Sequence, residues 1–202
     1  DITYEMLWKA SELAQKHGYK VTAVVLGHDL SSMAQGLGHR ADTIILCDDE
    51  RLKDFNADVS KEIIAGLIDE MRPTLVFMGN TSWGMELAPC LSIKTGLPLA
   101  TDCTDIIVTD GTPFAERQML SGKIFARVSF EESEGYLFTL RSGVFSKDIL
   151  GDRQADIVHK DPPLPDKPIK KHFVEFVETA AGDVDITQAE LLISVGRGIG
   201  EE

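Results

Sequence analysis

The sequence predicts an α/β fold of three layers, built on a mostly parallel sheet that has an antiparallel hairpin edge. Helix-like and strand-like segments alternate as far as Pro98, which is typical of βαβ crossovers and a parallel sheet. One of the strand-like runs leads into a glycine-bounded turn, Gly79–Gly84, and then into a helix. After Pro98 several strand-like runs follow one another with short turns between them, and such short turns indicate hairpins.

The first half of the chain supplies the alternating elements. Apolar residues at helical spacing predict helices, and short apolar runs bounded by glycine, proline or acidic residues predict buried strands. The predicted helices are Tyr4–His17, Leu30–Leu37 and Val59–Met71, and the predicted strands are 21–26, 43–47 and 75–78. A chain that begins on a helix is unusual in this architecture. We therefore expect that a first strand is missing upstream.

Two interpretations of the Gly79–Gly84 turn stay open. The small residues could cradle a phosphate or an adenine nucleotide at the start of the following helix. Alternatively, they could serve packing, with Thr81 or Ser82 capping the helix. The turn has no Gly-Lys-Ser/Thr motif, which excludes a P-loop. We expect Pro89 to kink the helix or to delay its start to about Ala88.

The second half predicts an antiparallel edge, a linker and the start of another domain. The strand-like runs are 105–108, 114–120, 122–130 and 136–141, followed by a proline-rich linker at 161–168, a weak edge strand at 172–177 and a strand at 191–195 that enters a glycine loop. A strand that feeds a glycine loop is how a nucleotide-binding domain begins. We therefore predict one α/β domain over residues 1–185 and the truncated start of a second over 186–202.

Composition and charge exclude several classes of protein. The formal net charge is −13, and a strongly acidic surface repels the phosphates of nucleic acids. No apolar run approaches the roughly 20 residues that a membrane helix needs. The three cysteines and five histidines show no metal-ligand spacing, so we expect no metal site. We interpret Cys47, Cys90 and Cys103 as buried or semi-buried free thiols in a reducing cytoplasm.

The charged residues of the second half do not predict catalysis. We expect Arg117 and Arg127 to be solvated at the surface, and Arg141 to be solvated or to contact a partner. Asp102 and Asp105 have no evident basic or nucleophilic neighbour in the sequence, so we assign them to turns. The sequence thus favours a carrier, a binding module or a scaffold over an enzyme.

Five segments, in order along the chain, resemble the alpha subunit of electron transfer flavoproteins. They are 78–89 (Met-Gly-Asn-Thr-Ser-Trp-Gly-Met-Glu-Leu-Ala-Pro), 95–104, 117–122, 141–145 and 195–198. The resemblance implies an adenine-nucleotide-hydrolase-like α/β domain without a nucleotide of its own. It also implies an electron carrier subunit rather than an enzyme, in a heterodimer with a beta subunit. Its redox partners would be acyl-CoA dehydrogenases or related enzymes.

The resemblance also implies an FAD cofactor, held largely by residues beyond Glu202. Arg197 matches the arginine of the family that contacts the flavin, in the loop opened by Gly196 and Gly198. A fixed guanidinium favours the negative charge of a reduced flavin. One charge-assisted hydrogen bond corresponds to about 60–130 mV of potential. We expect the chain as written not to hold flavin tightly.

The chain departs from the family pattern at two positions. Cys90 follows Ala-Pro where the family commonly has arginine, and Ser142 follows Arg141 where proline is frequent. Two alternative functions remain open beside the electron carrier. One is a stand-alone adenine-nucleotide-binding module that uses Gly79–Gly84, and the other is a non-catalytic assembly domain. Whether the intact protein bifurcates electrons depends on a second flavin, expected in the partner.

Overall fold

The structure of the protein is a computed structural model, and it describes residues 2–162, 171–175, 177, 189–196 and 198. The described helices are α1 (Ile2–His17), α2 (Ser31–Leu37), α3 (Ala57–Met71) and α4 (Ser82–Thr95), with a 3-10 turn at Glu50–Leu52. The described strands are β1 (Thr22–Gly27), β2 (Thr43–Asp48), β3 (Leu75–Gly79), β4 (Leu99–Thr109), β5 (Thr112–Met119), β6 (Ile124–Val128), β7 (Tyr136–Leu140) and β8 (Asp156–His159).

The strands form two sheets. The first has the order β1-β2-β8 and is parallel throughout. The second has the order β3-β7-β4-β5-β6, in which β7 pairs in parallel with both β3 and β4, and β5 pairs antiparallel with both β4 and β6. The predicted α/β class, mostly parallel with an antiparallel hairpin edge, is confirmed.

Alternate residues of single strands show that helices cover both faces of the sheets. In β2, Ile44 and Leu46 pack with α1 and α2, whereas Ile45 and Cys47 pack with α3. In β7, Leu137 packs with α3 and α4, whereas its neighbour Phe138 packs with α1. Because successive side chains of a strand point to opposite faces, these contacts define three layers, as predicted.

Strand β7 overturns part of the predicted hairpin edge. The short turn at Glu134–Gly135 predicts a hairpin between the run 122–130 and the run 136–141. Instead, β7 leaves β6 and enters the sheet between β3 and β4. All five of its residues are buried, because the strand is covered on both faces. This explains why its side chains are apolar at nearly every position. The entry of β7 requires glycine at position 135, since a Cβ atom on this residue would lie 2.5 Å from the carbonyl oxygen of Pro73.

The end of the chain differs from the prediction. Strand β8 is not predicted by the sequence pattern, because all four of its residues are exposed and its apolar residues do not alternate. The predicted strands at 172–177 and 191–195 are wrong, since their described residues are exposed and form no strand. Of the predicted linker 161–168, only Asp161 and Pro162 are described. The rest lies outside the described residues.

Helix α4 begins earlier than Pro89 suggests. Thr81 is its N-cap and accepts a hydrogen bond from the backbone N–H of Gly84 at 3.2 Å. The helix continues through Pro89 and ends at Gly96, whose φ of 74° is the left-handed conformation typical of a helix C-terminus. In the described part of the chain, no helix combines the length and the apolar character that crossing a bilayer requires.

Candidate functional site

The candidate site is a polar network at the carboxyl edge of the five-stranded sheet. Asn80 directly follows β3, Arg141 directly follows the neighbouring strand β7, and Asp102 lies within β4 on the other side of β7. Ligands of open α/β sheets bind at this edge. The topology therefore brings together three polar residues that are far apart in the sequence.

Arg141 and Asp102 are the centre of the network. The Nε atom of Arg141 donates to Oδ1 of Asp102 at 2.9 Å, and its Nη2 atom donates to Oδ2. Its Nη1 atom donates to the side-chain oxygen of Gln118 on β5. The three hydrogen bonds join three neighbouring strands, and two of them form the bidentate geometry that makes arginine–carboxylate pairs strong.

Three further hydrogen bonds among Asn80, Thr139 and Asp102 support the pair. Asn80 donates to Asp102 at 3.1 Å, and Thr139 donates to the side-chain oxygen of Asn80 at 2.9 Å. The backbone N–H of Asp102 donates to Thr139 at 2.9 Å. Thr139 is completely buried, and these contacts satisfy its hydroxyl group as burial requires.

The backbone of β4 makes this arrangement possible. The register of β4 against β7 shifts between Ala100 and Cys103. At the shift, Asp102 has a φ of 59°. Aspartate tolerates the left-handed region better than most residues. The bulge re-aims the side chain toward Arg141, which is a common role of bulges beside functional sites.

The electrostatics keep both partners charged. The hydrogen bond from Arg141 lowers the pKa of Asp102 from its ordinary value, and this outweighs the opposing effect of burial; the charges of Arg141 and Arg117 add to the lowering. The hydrogen bond to Asp102 raises the pKa of Arg141. At neutral pH the network is therefore a fixed ion pair that stiffens the sheet edge and exchanges no proton there.

The assignment of Asp102 and Asp105 to turns without basic partners is wrong. Asp102 pairs with Arg141 as described, and Asp105 lies 2.7 Å from Nζ of Lys9, which is buried. The partners come from other elements, so sequence neighbours could not reveal them. Arg127 is exposed, as expected, but its side chain also forms an ion pair with Glu116.

A buried glutamate positions the loop that follows Arg141. Glu5 of α1 is completely buried, and its Oε2 atom accepts hydrogen bonds from the backbone N–H groups of Gly143, Val144 and Phe145 at 2.8, 3.1 and 3.3 Å. Burial raises the pKa of Glu5, but these N–H groups and Lys147 outweigh it, so the pKa is lowered overall. Sequence reasoning missed this residue, because helical spacing places Glu5 with Lys9, Glu12 and Lys16 on the polar side of α1.

The Gly79–Gly84 turn is explained by packing and capping. A Cβ atom on Gly84 would lie 1.9 Å from the carbonyl oxygen of Gly79, so the first turn of α4 rests directly on the end of β3. Thr81 accepts from the N–H of Gly84, as the capping interpretation predicts. Beside the turn, the exposed ring of Trp83 stacks on Phe55 with centroids 5.0 Å apart.

The predicted flavin loop is described only at Gly196 and Gly198. Gly196 and Gly198 are exposed, and a Cβ atom on either would meet nothing within 4 Å. Arg197 lies outside the described residues. The described residues of this loop therefore form no wall against which a flavin ring could pack. They do not build an FAD pocket by themselves, and the assignment of the three residues to the cofactor stays a prediction.

Two of the three cysteines are buried as expected, and Cys90 is not. Cys47 and Cys103 are buried and Cys90 is exposed, all three as free cysteines. Burial raises the pKa of Cys47, and it raises the pKa of Cys103 to about 12. Among the residues that the structure describes, no cluster of histidine, cysteine, aspartate and glutamate could hold a metal ion.

Comparison with known proteins gives one family. The model of the electron transfer flavoprotein domain matches residues 1–165. This range contains both sheets and all the residues of the polar network.

Curated relatives match over the whole chain. The electron transfer flavoprotein subunit alpha of Clostridium acetobutylicum is 31% identical, with 100% of this chain and 62% of the relative covered. The subunit of the same name from Megasphaera elsdenii is 30% identical, with 100% and 61% covered. The acryloyl-CoA reductase electron transfer subunit beta of Anaerotignum propionicum is 26% identical, with 98% and 62% covered. The chain thus spans about three fifths of the length of these relatives.

Proposed function

Because the chain belongs to the electron transfer flavoprotein domain family, we propose that it is the amino-terminal part of an alpha subunit of an electron transfer flavoprotein. In this proposal the complete protein carries electrons between dehydrogenases and an acceptor through FAD. The observation that carries the proposal is the match over the entire chain to proteins named as alpha subunits.

The geometry of the sheet edge supports a platform role for this domain. The carboxyl edge is where open α/β sheets bind ligands. Here the side chain of Asp102 accepts hydrogen bonds from Asn80 and Arg141. The hydroxyl of Thr81 accepts a hydrogen bond from an N–H group in the first turn of α4. The edge is thus a rigid surface made of the chain's own side chains, which suits a domain that supports a flavin held elsewhere.

The flavin itself is assigned to the complete protein. In our proposal FAD is held mainly by residues beyond Glu202, and Gly196, Arg197 and Gly198 contribute the loop that faces it. When bound, the flavin supplies the electron-accepting and electron-donating chemistry. The role of Arg197 is to place a permanent positive charge beside the ring, which favours the reduced and more negative form.

The proposed partners are a beta subunit and redox enzymes of the acyl-CoA dehydrogenase type or related to them. The name of the Anaerotignum propionicum relative, an electron transfer subunit of acryloyl-CoA reductase, supports this class. A net charge of −13 suits docking to basic patches, and such docking weakens as salt is added. We propose a cytoplasmic location, consistent with three unpaired cysteines.

The test is to produce the full-length protein together with the beta-type subunit of the same organism. We expect a heterodimer that shows the absorption spectrum of a bound flavin and passes electrons from a reduced dehydrogenase to an acceptor dye. A purified full-length pair without flavin, or two subunits that never associate, would contradict the proposal.

The role of Arg197 is tested separately by redox titration of that heterodimer. Arg197→Ala is expected to lower the flavin potential by about 60–130 mV or to reduce flavin occupancy. Arg197→Lys, which keeps the charge, is the matched control and should retain most of the potential. An unchanged potential at full occupancy in Arg197→Ala would remove this residue from the site.

A further inference from the structure

The hairpin formed by β5 and β6 carries an exposed apolar tip. Met119, Leu120, Ile124 and Phe125 are 45%, 68%, 47% and 65% exposed. They are adjacent, because Met119 at the end of β5 pairs with Ile124 at the start of β6 and the turn lies between them. Single exposed apolar residues are ordinary, but a contiguous group marks a contact surface.

The tip is apolar on both faces of the ribbon. Phe125 is paired with Gln118, and its neighbour Ile124 is paired with Met119. Since successive residues of a strand point to opposite faces, Phe125 lies on one face and the Met119–Ile124 pair on the other. A surface that only lay flat on a partner would be apolar on one face. The pattern instead fits a ribbon that a partner encloses from both sides.

The backbone at the tip is strained. Leu120, Ser121 and Gly122 have φ values of 51°, 55° and 81°. Glycine adopts this region freely, but leucine does so at a cost. Strained conformations of this kind cluster at functional sites. The side chain of Leu120 is mostly exposed, so its burial within the domain does little to offset this cost.

The tip carries one positive charge, although the chain is acidic. Residues 118–126 contain a single charged residue, the exposed Lys123, whereas the whole chain has a net charge of −13. At the base of the hairpin, Arg127 is paired with Glu116, and the half-buried Arg117 donates to the hydroxyl of Thr101 at 3.4 Å. A partner that fits this tip would present an apolar cleft with carboxylates at its rim.

The described downstream part of this chain runs elsewhere. The chain leaves the hairpin's sheet before β8, which belongs to the other sheet. After β8, the backbone oxygen of Lys171 accepts from Asn56 at 2.8 Å, and its Nζ atom binds Glu86. This described segment therefore lies against the starts of α3 and α4 and leaves the hairpin uncovered.

We propose that the β5–β6 hairpin is an arm by which this chain binds a second, different subunit, inserted into an apolar, acid-rimmed cleft that closes on both faces of the ribbon. The proposal rests on the proposed function, in which the chain is one of two subunits. The exposed apolar residues of the tip and the exposed Lys123 are complementary to such a cleft.

The test measures the affinity of the full-length protein for the beta-type subunit of the same organism, by calorimetry or sedimentation. Phe125→Ser is expected to raise the Kd about tenfold or more, and Lys123→Glu is expected to raise it and to weaken its dependence on salt. Ile93→Ser is the matched control. Ile93 lies on α4 and is 86% exposed, so its replacement should leave the Kd unchanged.

Leu120→Asn separates a binding role from a structural one. Asparagine tolerates the left-handed region, so the melting temperature of the free chain should rise by roughly 2 °C. Its affinity for the subunit should nevertheless fall, because the leucine side chain is lost. A purely structural leucine would not give these opposite signs.

The outcomes distinguish the possible occupants. A wild-type complex whose Kd is unchanged by Phe125→Ser overturns the arm but leaves the proposed function intact. A wild-type chain that does not bind the subunit overturns both. A self-association that Phe125→Ser abolishes assigns the tip to a second copy. If Phe125→Ser changes the protease protection of the free full-length chain and leaves the Kd for the subunit unchanged, a later part of the same chain covers the tip. Either of these last two results overturns the proposal.

Discussion

The guanidinium of Arg141 binds the carboxylate of Asp102 in a bidentate manner, although the two residues are 39 positions apart. The pair joins the end of β7, which lies between β3 and β4, to the bulge in β4. Both side chains are about 30% exposed. The sheet edge therefore depends on an ion pair that is only partly shielded from water.

Replacing Asp102 should destabilise the protein in a pH-dependent way. In Asp102→Asn the left-handed backbone is retained, but Arg141 loses its charged partner, which we expect to cost about 1–2 kcal/mol at pH 7. The pKa of Asp102 is lowered in the folded state. Its contribution is therefore complete above the unfolded pKa of about 4 and is lost as the pH falls through the lower folded value. Urea unfolding at pH 7 and at pH 3 measures the difference.

Asp110→Asn is the matched control for this prediction. Asp110 is exposed and has a φ of 50°, close to that of Asp102, and it precedes Gly111 in a hairpin turn where asparagine is favoured. We expect no loss of stability in this variant. Equal costs for the two substitutions would contradict a specific role for the Arg141–Asp102 pair.

Glu5→Gln should loosen the loop after Arg141. The introduced amide can still accept hydrogen bonds, but the charge that three backbone N–H groups and Lys147 stabilise is removed. We expect a loss of about 2 kcal/mol at pH 7. Since the pKa of Glu5 is lowered on folding, this loss should shrink as the pH falls below about 4.

Hydrogen exchange gives a local measurement of the same effect. The amides of Gly143, Val144 and Phe145 should exchange faster in Glu5→Gln, whereas Glu132→Gln, at an exposed position, should leave them unchanged. Unchanged protection of these three amides in Glu5→Gln would show that Glu5 does not hold the loop.

Gly84→Ala should be among the most damaging small substitutions in the chain. The new Cβ atom would lie 1.9 Å from the carbonyl oxygen of Gly79, and both groups belong to backbone, so β3 and α4 must move apart. We expect a cost of about 3 kcal/mol or more, or failure to fold. Gly36→Ala on the exposed face of α2 is the control, and it should stabilise by about 0.5–1 kcal/mol. The melting temperatures of the two variants test this prediction, and equal values would contradict it.

The thiols should react unequally. At pH 8, Cys90 is exposed and should react with a thiol reagent, whereas Cys47 and Cys103 are buried and their pKa values are raised. We expect one fast thiol from these three in the folded protein and three after denaturation. Cys90→Ser should abolish the fast phase. Reaction of Cys103 at the same rate as Cys90 would contradict its burial in the core.

The elements that local patterns specify could be predicted. Helices α1 and α3 and strands β1 to β3 follow from apolar periodicity and from the glycine, proline and acidic residues at their ends, because these signals act over a few residues. The cap of α4 by Thr81 is of the same kind. Of the two effects expected of Pro89, the delayed start of α4 near Ala88 is wrong, because the tertiary context overrides a local preference.

Pairings between distant strands could not be predicted in the same way. Strand β7 resembles the third strand of a meander in its spacing, and only the burial of all its residues shows that it belongs inside the sheet. Strand β8 is exposed and has no alternating apolar pattern. Its place is set by backbone hydrogen bonds to β2, which almost any sequence can make.

The sequence by itself determined the α/β class, the helices and strands of the first half and the family, because each is encoded in contiguous residues. Only the tertiary structure decided that Asp102 meets Arg141, that Glu5 holds the loop after β7 and that the described part of the chain leaves the hairpin tip uncovered. These relationships depend on which strand lies beside which. That order arises from the summed burial of the whole core rather than from any local pattern.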